Sequence, residues 1–284
     1  MTRVALITGG AGGMGLATAK IIGRDHLVVL CDVRQDMLEA AAASLNDLDI
    51  TPTTVHCDVT DRQAVERLFE TAAGLGSVAS VIHTAGVSPS MGAVDYILRT
   101  NALGTVNVNE AFFAAAGAGA AIVNVASMAA HLVPQELIPI AQFPLAQSDE
   151  DAFMAAMSTV CDIAPEKSRS GLAYSVSKSY VRWYSTSQAE RFTSRGLRIV
   201  SISPGAVDTE MGRLEEQAGA GAVMADAAVP RWGTAAEMAE LLAFCVSTKA
   251  GYLTGTDILN DGGVVASMTE RARVAAQKDR PERQ

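Results

Sequence analysis

The sequence predicts an α/β fold: a single doubly wound domain with a parallel sheet of about seven strands and helices on both faces. Three observations predict it. Short β-rich runs alternate with longer stretches of helical spacing along most of the 284 residues. The runs are continuously apolar, as strands covered on both faces require. A glycine-rich turn joins the first run to the first helical stretch. Strands separated by helices read as βαβ units, and right-handed crossovers place the helices on both faces.

The elements follow in order. A strand is expected at Val4–Thr8, then a helix over Met14–Ile22. The next pairs are Leu27–Cys31 with Gln35–Leu45, and Thr53–Cys57 with Arg62–Ala73. Further strands are expected at Val78–His83, Ala121–Ala126, Arg198–Ser203 and Asp257–Leu259. Two segments break the rhythm. The first, residues 130–170, carries Pro134, Pro139, Pro144 and Pro165. It also holds the acidic start Ser148-Asp149-Glu150-Asp151 before Phe153, Met154, Met157 and Val160. Ser148 is the expected N-cap of a helix there, because acids suit the positive helix end. This insertion reads as a surface addition or as a lid. Long loops in compact domains tend to carry function, so a lid is expected. The second, residues 266–284, is polar and Arg-rich and reads as a frayed or loosely docked tail. The division is thus a domain over 1–265, with the insertion, and a tail over 266–284.

Composition excludes several classes. Hydrophobic residues make up 49% and charged residues 19%, which argues against disorder. The 22 basic and 31 acidic residues give a charge of −9, against a nucleic-acid or anionic-membrane partner. Cys31, Cys57, Cys161 and Cys245 form no Cys-x-x-Cys pair, so neither a metal site nor a redox pair is expected. No apolar stretch suits a membrane span, and the amino terminus lacks the pattern of a signal peptide. A reducing cytoplasm is the expected location.

The turn Thr8-Gly9-Gly10-Ala11-Gly12-Gly13-Met14-Gly15 lies between strand and helix. A pyrophosphate approaching backbone N–H groups at a helix start needs positions without Cβ. A dinucleotide cradle is therefore expected at Gly9, Gly13, Met14 and Gly15. Asp32, followed by Val33, ends the second strand. A carboxylate there accepts from both ribose hydroxyls and repels a 2′-phosphate, which favours NAD over NADP. Arg34 is the competing feature, and a helix cap is the bland reading of Asp32. Farther on, Tyr174 and Lys178 share one helix face. An ammonium beside a phenol lowers its pKa, so the pair suits proton transfer at a carbinol or carbonyl. Ser127 ends the strand Ala121–Ala126, where ligands bind in such sheets.

Together these residues resemble the short-chain dehydrogenase/reductase family, a Rossmann-type fold, over residues 1 to about 265. Thr8, Gly9, Gly13 and Gly15 match its glycine turn. Asp58 and Val59 match its adenine pair, and Ala85-Gly86 the end of its Asn-Asn-Ala-Gly segment. Asn101, Ser127, Tyr174 and Lys178 match its catalytic tetrad. Pro204, Gly205, Val207 and Thr209 match its nicotinamide-side motif. The resemblance implies that Tyr174 is the acid/base and that Lys178 lowers its pKa and holds the ribose. Ser127 would polarise the substrate oxygen. Asn101 would support a water leading to Lys178, and Val207 and Thr209 would meet the carboxamide.

Two departures stand out. His83-Thr84 replace the two asparagines, and His83 reads as a core histidine or an altered cofactor contact. Far more residues separate Ser127 from Tyr174 than the family usually has, with Cys161 and Asp162 at the usual distance. The insertion accounts for them. It puts the family's common tetramer in doubt and leaves a homo-oligomer such as a dimer through the last strand. The segment Glu210–Val229 resembles the family's substrate flap, with Met211, Leu214, Val223 and Met224. With Phe143, Phe153 and Met154 it suggests an apolar pocket. The expected activity is NAD-dependent interconversion of a secondary alcohol and a ketone, on a steroid- or terpenoid-like substrate. The alternatives are an NADP-dependent ketoreductase of acyl chains and a non-catalytic nucleotide-sensing module.

Overall fold

The computed structural model describes residues 2–219, 221 and 225–278. Seven parallel strands form one sheet. They are β1 (Arg3–Thr8), β2 (Leu27–Asp32), β3 (Thr53–His56), β4 (Ser77–His83), β5 (Ala121–Val125), β6 (Arg198–Pro204) and β9 (Asp257–Asn260). Their spatial order is β3-β2-β1-β4-β5-β6-β9, and the two-residue strands β7 (Val207–Asp208) and β8 (Gly233–Thr234) pair separately. Every expected strand is present. Cys57 falls just outside β3, although its N–H still donates to the Asp32 carbonyl at 3.1 Å. The sheet direction turns between β1 and β4, which opens a crevice at their carboxyl ends.

The period of two along β1 explains the two-sided core. Val4 and Leu6 join a cluster with Phe69, Phe112 and Tyr180. Ala5 and Ile7 face the opposite way, into a cluster with Leu30, Val123 and Leu242. Burying each such aliphatic side chain contributes roughly 1.5–3 kcal/mol. The first side is covered by α3 (Arg62–Leu75), α4 (Val94–Leu98), α5 (Gly104–Ala115) and α9 (Arg169–Ser187). The second is covered by α1 (Gly13–Ile22), α2 (Gln35–Asn46) and α12 (Ala235–Val246). Asp61 caps α3 by accepting from Gln63 and Ala64 N–H groups, and Thr234 with Glu237 forms a capping box on α12.

The insertion is not a lid. It folds into α6 (Ala129–Leu132), α7 (Leu145–Ser148) and α8 (Glu150–Cys161), with α8 packed on α9 and α4. Phe143 and Phe153 stand edge-on to the Tyr180 ring at 5.2 and 5.3 Å. Phe143, Phe153 and Met157 are fully buried in this contact, and Met154 nearly so. The apolar spacing that suggested a pocket serves helix packing instead. The cap of α8 is Asp149, not Ser148. Asp149 has extended backbone and accepts from Ala152 N–H at 3.0 Å, whereas Ser148 ends α7.

Residues 266–278 of the tail are helical, and residues 279–284 lie outside the described residues. Helix α13 spans Val264–Lys278, starting from buried Val264, with Glu270 and Arg273 paired one turn apart. Arg271 pairs with Asp226. The remaining helices are α10 (Ala189–Thr193) and α11 (Glu210–Gln217). Val223 and Met224 of the expected flap lie outside the described residues. No helix among the described residues is long and apolar enough to cross a membrane.

Candidate active site

The glycine turn is built for close approach. Gly9 has φ +63°, and a Cβ on it would fall 2.7 Å from the Ala85 nitrogen. A Cβ on Gly15 would fall 2.4 Å from the Gly9 carbonyl, so α1 packs against the turn only with glycine there. Gly13 has φ +51°. Helix α1 starts without a side-chain cap, so its first N–H groups are left for an acceptor from outside the helix. Met14 turns into the cavity described below. These features fit the pyrophosphate of a dinucleotide.

Asp32 ends β2. One of its carboxylate oxygens accepts the Ala11 N–H at 3.3 Å and the other the Arg34 N–H at 3.2 Å. Val33 beside it is half-exposed, and its carbonyl meets the His56 ring at 3.0 Å. The Arg34 guanidinium reaches across to Glu210 on α11 at 3.1 Å. Asp58 accepts from the Thr60 N–H and hydroxyl, which fixes the turn after β3, and Val59 is buried against Gly104.

His83 is a satisfied core histidine, and it does more than fill space. Its Nδ1 lies 2.7 Å from the Thr8 hydroxyl, and its Nε2 lies 3.1 Å from the Thr105 hydroxyl. Thr105 donates to the Asn101 carbonyl at 2.7 Å, so Thr105 accepts from Nε2–H and Nδ1 accepts from Thr8. Burial, followed by the charge of Lys178, pushes the imidazole down to about 3, so it is neutral. Thr84 donates to the Thr8 carbonyl at 2.7 Å and so braces the same turn. This chain couples the glycine turn to Asn101. Sequence reading missed it, although Thr8, His83 and Thr105 were visible as polar residues within apolar elements. His83→Ala is expected to cost on the order of 2–4 kcal/mol of stability, from two lost hydrogen bonds and a cavity. Urea unfolding measures it, and an unchanged midpoint would refute the chain's structural weight.

Asn101 lies in a five-residue π-helical stretch, Arg99–Leu103, between α4 and α5. Its side chain accepts from Val87 N–H at 2.9 Å and donates to the Val87 carbonyl at 3.0 Å and to Ser177 at 3.1 Å. Tyr174 and Lys178 lie one turn apart on α9. The Lys178 ammonium is buried, donates to the Val125 carbonyl at 2.8 Å and sits 5.8 Å from the Tyr174 ring centre. Gly86 packs against both partners: a Cβ there would meet Asn101 Oδ1 at 3.0 Å and Lys178 Nζ at 3.3 Å. Burial pushes Lys178 down to about 8.

The phenol runs opposite to the expectation that its ammonium neighbour acidifies it. Burial raises Tyr174 above its ordinary value. The Ser127 hydroxyl pulls the other way, and the Glu215 carboxylate adds to the rise. The main reason is desolvation of the buried phenol, which penalises its charged form. A neutral phenol next to a serine hydroxyl is poised to give a proton to an oxygen between them.

The crevice holds a cavity of about 340 Å³. Gly86, Tyr174, Lys178, Pro204, Gly205, Val207 and Thr209 line it, whereas Asn101 and Ser127 do not. Gly205 is fixed against Asp261, and Thr209 caps α11 through the Gly212 N–H at 3.0 Å. Ser127 stands beside the lining residues Ala126 and Met128 and accepts the Ala129 N–H. The apolar wall comes from Val87, Pro89, Met128, Met211 and Trp232. Phe143, Phe153 and Met154 are absent from it, and Leu214 is exposed on α11. Among the described residues no cluster of three or more His, Cys, Asp or Glu could hold a metal.

Comparison with known proteins agrees with this geometry. The short chain dehydrogenase family profile matches residues 3–139, and the enoyl-(acyl carrier protein) reductase profile matches residues 144–265. The chain is 33% identical over 279 residues to the short-chain dehydrogenase/reductase bsc3 of Alternaria brassicicola, covering 95% of this chain and 98% of the relative. It is 26% identical to carbonyl reductase family member 4 of Danio rerio, covering 93% and 98%. A crystal structure of a short chain dehydrogenase from Burkholderia cenocepacia in complex with NADP superposes with a TM-score of 0.73 at 24% identity, covering 92% of this chain and 96% of that one. Full-length similarity of this kind, over a seven-stranded parallel sheet, places the chain in the short-chain dehydrogenase/reductase family, the NAD(P)-dependent oxidoreductases of alcohol and ketone groups.

Proposed function

We propose that the protein interconverts an apolar secondary alcohol and its ketone, with NAD as the preferred cofactor. The observation that carries the reading is the single cavity that joins Tyr174 and Lys178 to Gly205, Val207 and Thr209. The glycine turn, Asp32 and Val33, Asp58 and Val59, and Ala85-Gly86 would hold the dinucleotide. When bound, the nicotinamide supplies or accepts the hydride.

The chain's own residues handle the proton and the orientation. In reduction, Tyr174 donates its phenolic proton to the carbonyl oxygen, and Ser127 donates a hydrogen bond to the same oxygen. In oxidation, Tyr174 must first lose its proton, and its raised pKa makes that direction faster at alkaline pH. Lys178 places positive charge 5.8 Å from the centre of the phenol ring and would hold the nicotinamide ribose. Asn101, set by the π-helical stretch, would support a water leading to Lys178, as the family resemblance implies.

The apolar wall supports an apolar substrate. The cavity must also take the nicotinamide ring, which favours a terpenoid-sized body over a steroid. NAD preference is supported by Asp32 and by Arg34. The guanidinium pairs with Glu210 at 3.1 Å and lies 3.9 Å from Asp32, two carboxylates that compete with a 2′-phosphate for it. An NADP-dependent ketoreductase of acyl chains would need that cation free. The intact tetrad argues against a purely sensing module. Asp32→Ala is expected to lower the NAD over NADP ratio of kcat/KM by roughly tenfold or more. An unchanged ratio would remove the ribose contact from the account.

A homodimer in the cytoplasm completes the proposal. Phe244 on α12 and Tyr252, ahead of the edge strand β9 in the chain, are exposed, whereas the insertion covers Tyr180 on α9.

A further inference from the structure

Glu215 brings an unused charge to the cavity. Among the described residues, Lys178 and Glu215 are the two charged side chains in the lining. Glu215 sits on α11 one turn after Met211 and is half-buried. Its Oε1 accepts the Ser90 N–H at 3.0 Å, which fixes the carboxylate where α11 meets the 3-10 turn Pro89–Met91. Its Oε2 accepts no hydrogen bond from the described residues. The nearby cations are committed elsewhere: Arg213 to Asp208 at 2.8 Å, Arg34 to Glu210 at 3.1 Å, and Lys178 to the Val125 carbonyl at 2.8 Å.

The surroundings are equally informative. Trp232, Met128 and Met211 share the cavity with this carboxylate. An indole face and thioethers receive the methyl and methylene groups around a cationic nitrogen. A carboxylate oxygen without a partner receives its N–H in a charge-assisted hydrogen bond. The same carboxylate repels a second anion, and its field reaches the reacting oxygen, because it raises the Tyr174 phenol.

We propose that Glu215 sets the substrate's charge: the pocket takes an apolar alcohol or ketone bearing an amine, held at Oε2, and turns away carboxylates and phosphates. The claim rests on the oxidoreductase reading above and adds a charged group of the substrate recognised within the same cavity.

Two measurements test it. The first is binding without turnover, by calorimetric titration of the full-length protein with protonated N,N-dimethylbenzylamine and with phenylacetate. The ammonium is expected to bind at least roughly tenfold more tightly, and Glu215→Gln to erase the difference. The variant keeps the length of the side chain and an oxygen for the Ser90 N–H, and Glu215→Lys is expected to invert the order. Equal binding of the two ions to the wild type overturns the proposal.

The second is kcat/KM for three acetophenones with para dimethylaminomethyl, isobutyl or carboxymethyl groups. The expected order is amine, then isobutyl, then carboxylate. The ratio of amine to carboxylate should fall by roughly tenfold in Glu215→Gln. Turnover with the same amine-to-carboxylate ratio in wild type and Glu215→Gln overturns the role of Glu215 and leaves the oxidoreductase reading standing. Charge-ordered binding with no turnover of any ketone, with either NADH or NADPH, overturns the oxidoreductase reading and the substrate claim with it.

Discussion

Tyr174→Phe is expected to lower turnover by roughly 10²–10⁴-fold, the range spanned by loss of a positioned acid/base. The change removes one oxygen and leaves the ring that lines the cavity. Cofactor affinity should stay near the wild-type value, because the glycine turn, Asp32 and Gly205 are untouched. Steady-state kinetics with a ketone substrate, alongside fluorescence titration with NADH, separates the two quantities. A variant that binds cofactor but keeps near-normal turnover would take the proton transfer away from Tyr174. In the wild type, alcohol oxidation should rise as the pH rises, since oxidation requires the ionised phenol and burial holds its pKa above the ordinary value. Reduction uses the neutral form and should fall at high pH.

Lys178→Met is expected to cost activity without costing stability. Burial pushes the ammonium from 10.5 down to about 8. A displacement of that size corresponds to a cost on the order of 3 kcal/mol for holding the charge in the folded protein. The methionine removes that cost and fills similar volume, although it loses the bond to the Val125 carbonyl. Tm should therefore hold or rise, while kcat falls by roughly 10²-fold or more and cofactor binding weakens. The pH dependence gives a second reading. The folded pKa lies below the unfolded one, so the cost is fully present below about 8 and is relieved as pH rises toward 10.5. Wild type should gain stability relative to Lys178→Met across that window. A large loss of Tm in the variant at neutral pH would mean that Lys178 is chiefly structural.

Much of this was legible from residue order. Val4–Thr8 and Val78–His83 are continuous apolar runs, and such runs leave little alternative to buried parallel strands. The glycine turn was legible because backbone geometry at Gly9 and Gly15 excludes a Cβ, which leaves a mark in sequence. The insertion was not, because an apolar helix face looks the same whether it closes a pocket or packs on a helix. Phe143 and Phe153 took the second course, against Tyr180. Ser148 and Asp149 are both good caps, and only the extended backbone at Asp149 decides between them. The cavity wall was hardest to read. Met128, Glu215 and Trp232 come from three separate segments that the fold alone brings together. Met211 and Glu215, four apart on one helix face, were the available signal.

Hydride movement between a carbinol carbon and the cofactor tests the central claim most directly. A secondary alcohol carrying deuterium on its carbinol carbon is incubated with oxidised cofactor, and the reduced cofactor is recovered and analysed by mass. The predicted result is deuterium in the cofactor with wild type and, over the same incubation time, roughly 10²-fold less or lower still with Tyr174→Phe. Equal labelling by both proteins, or deuterium released to water instead, would contradict it.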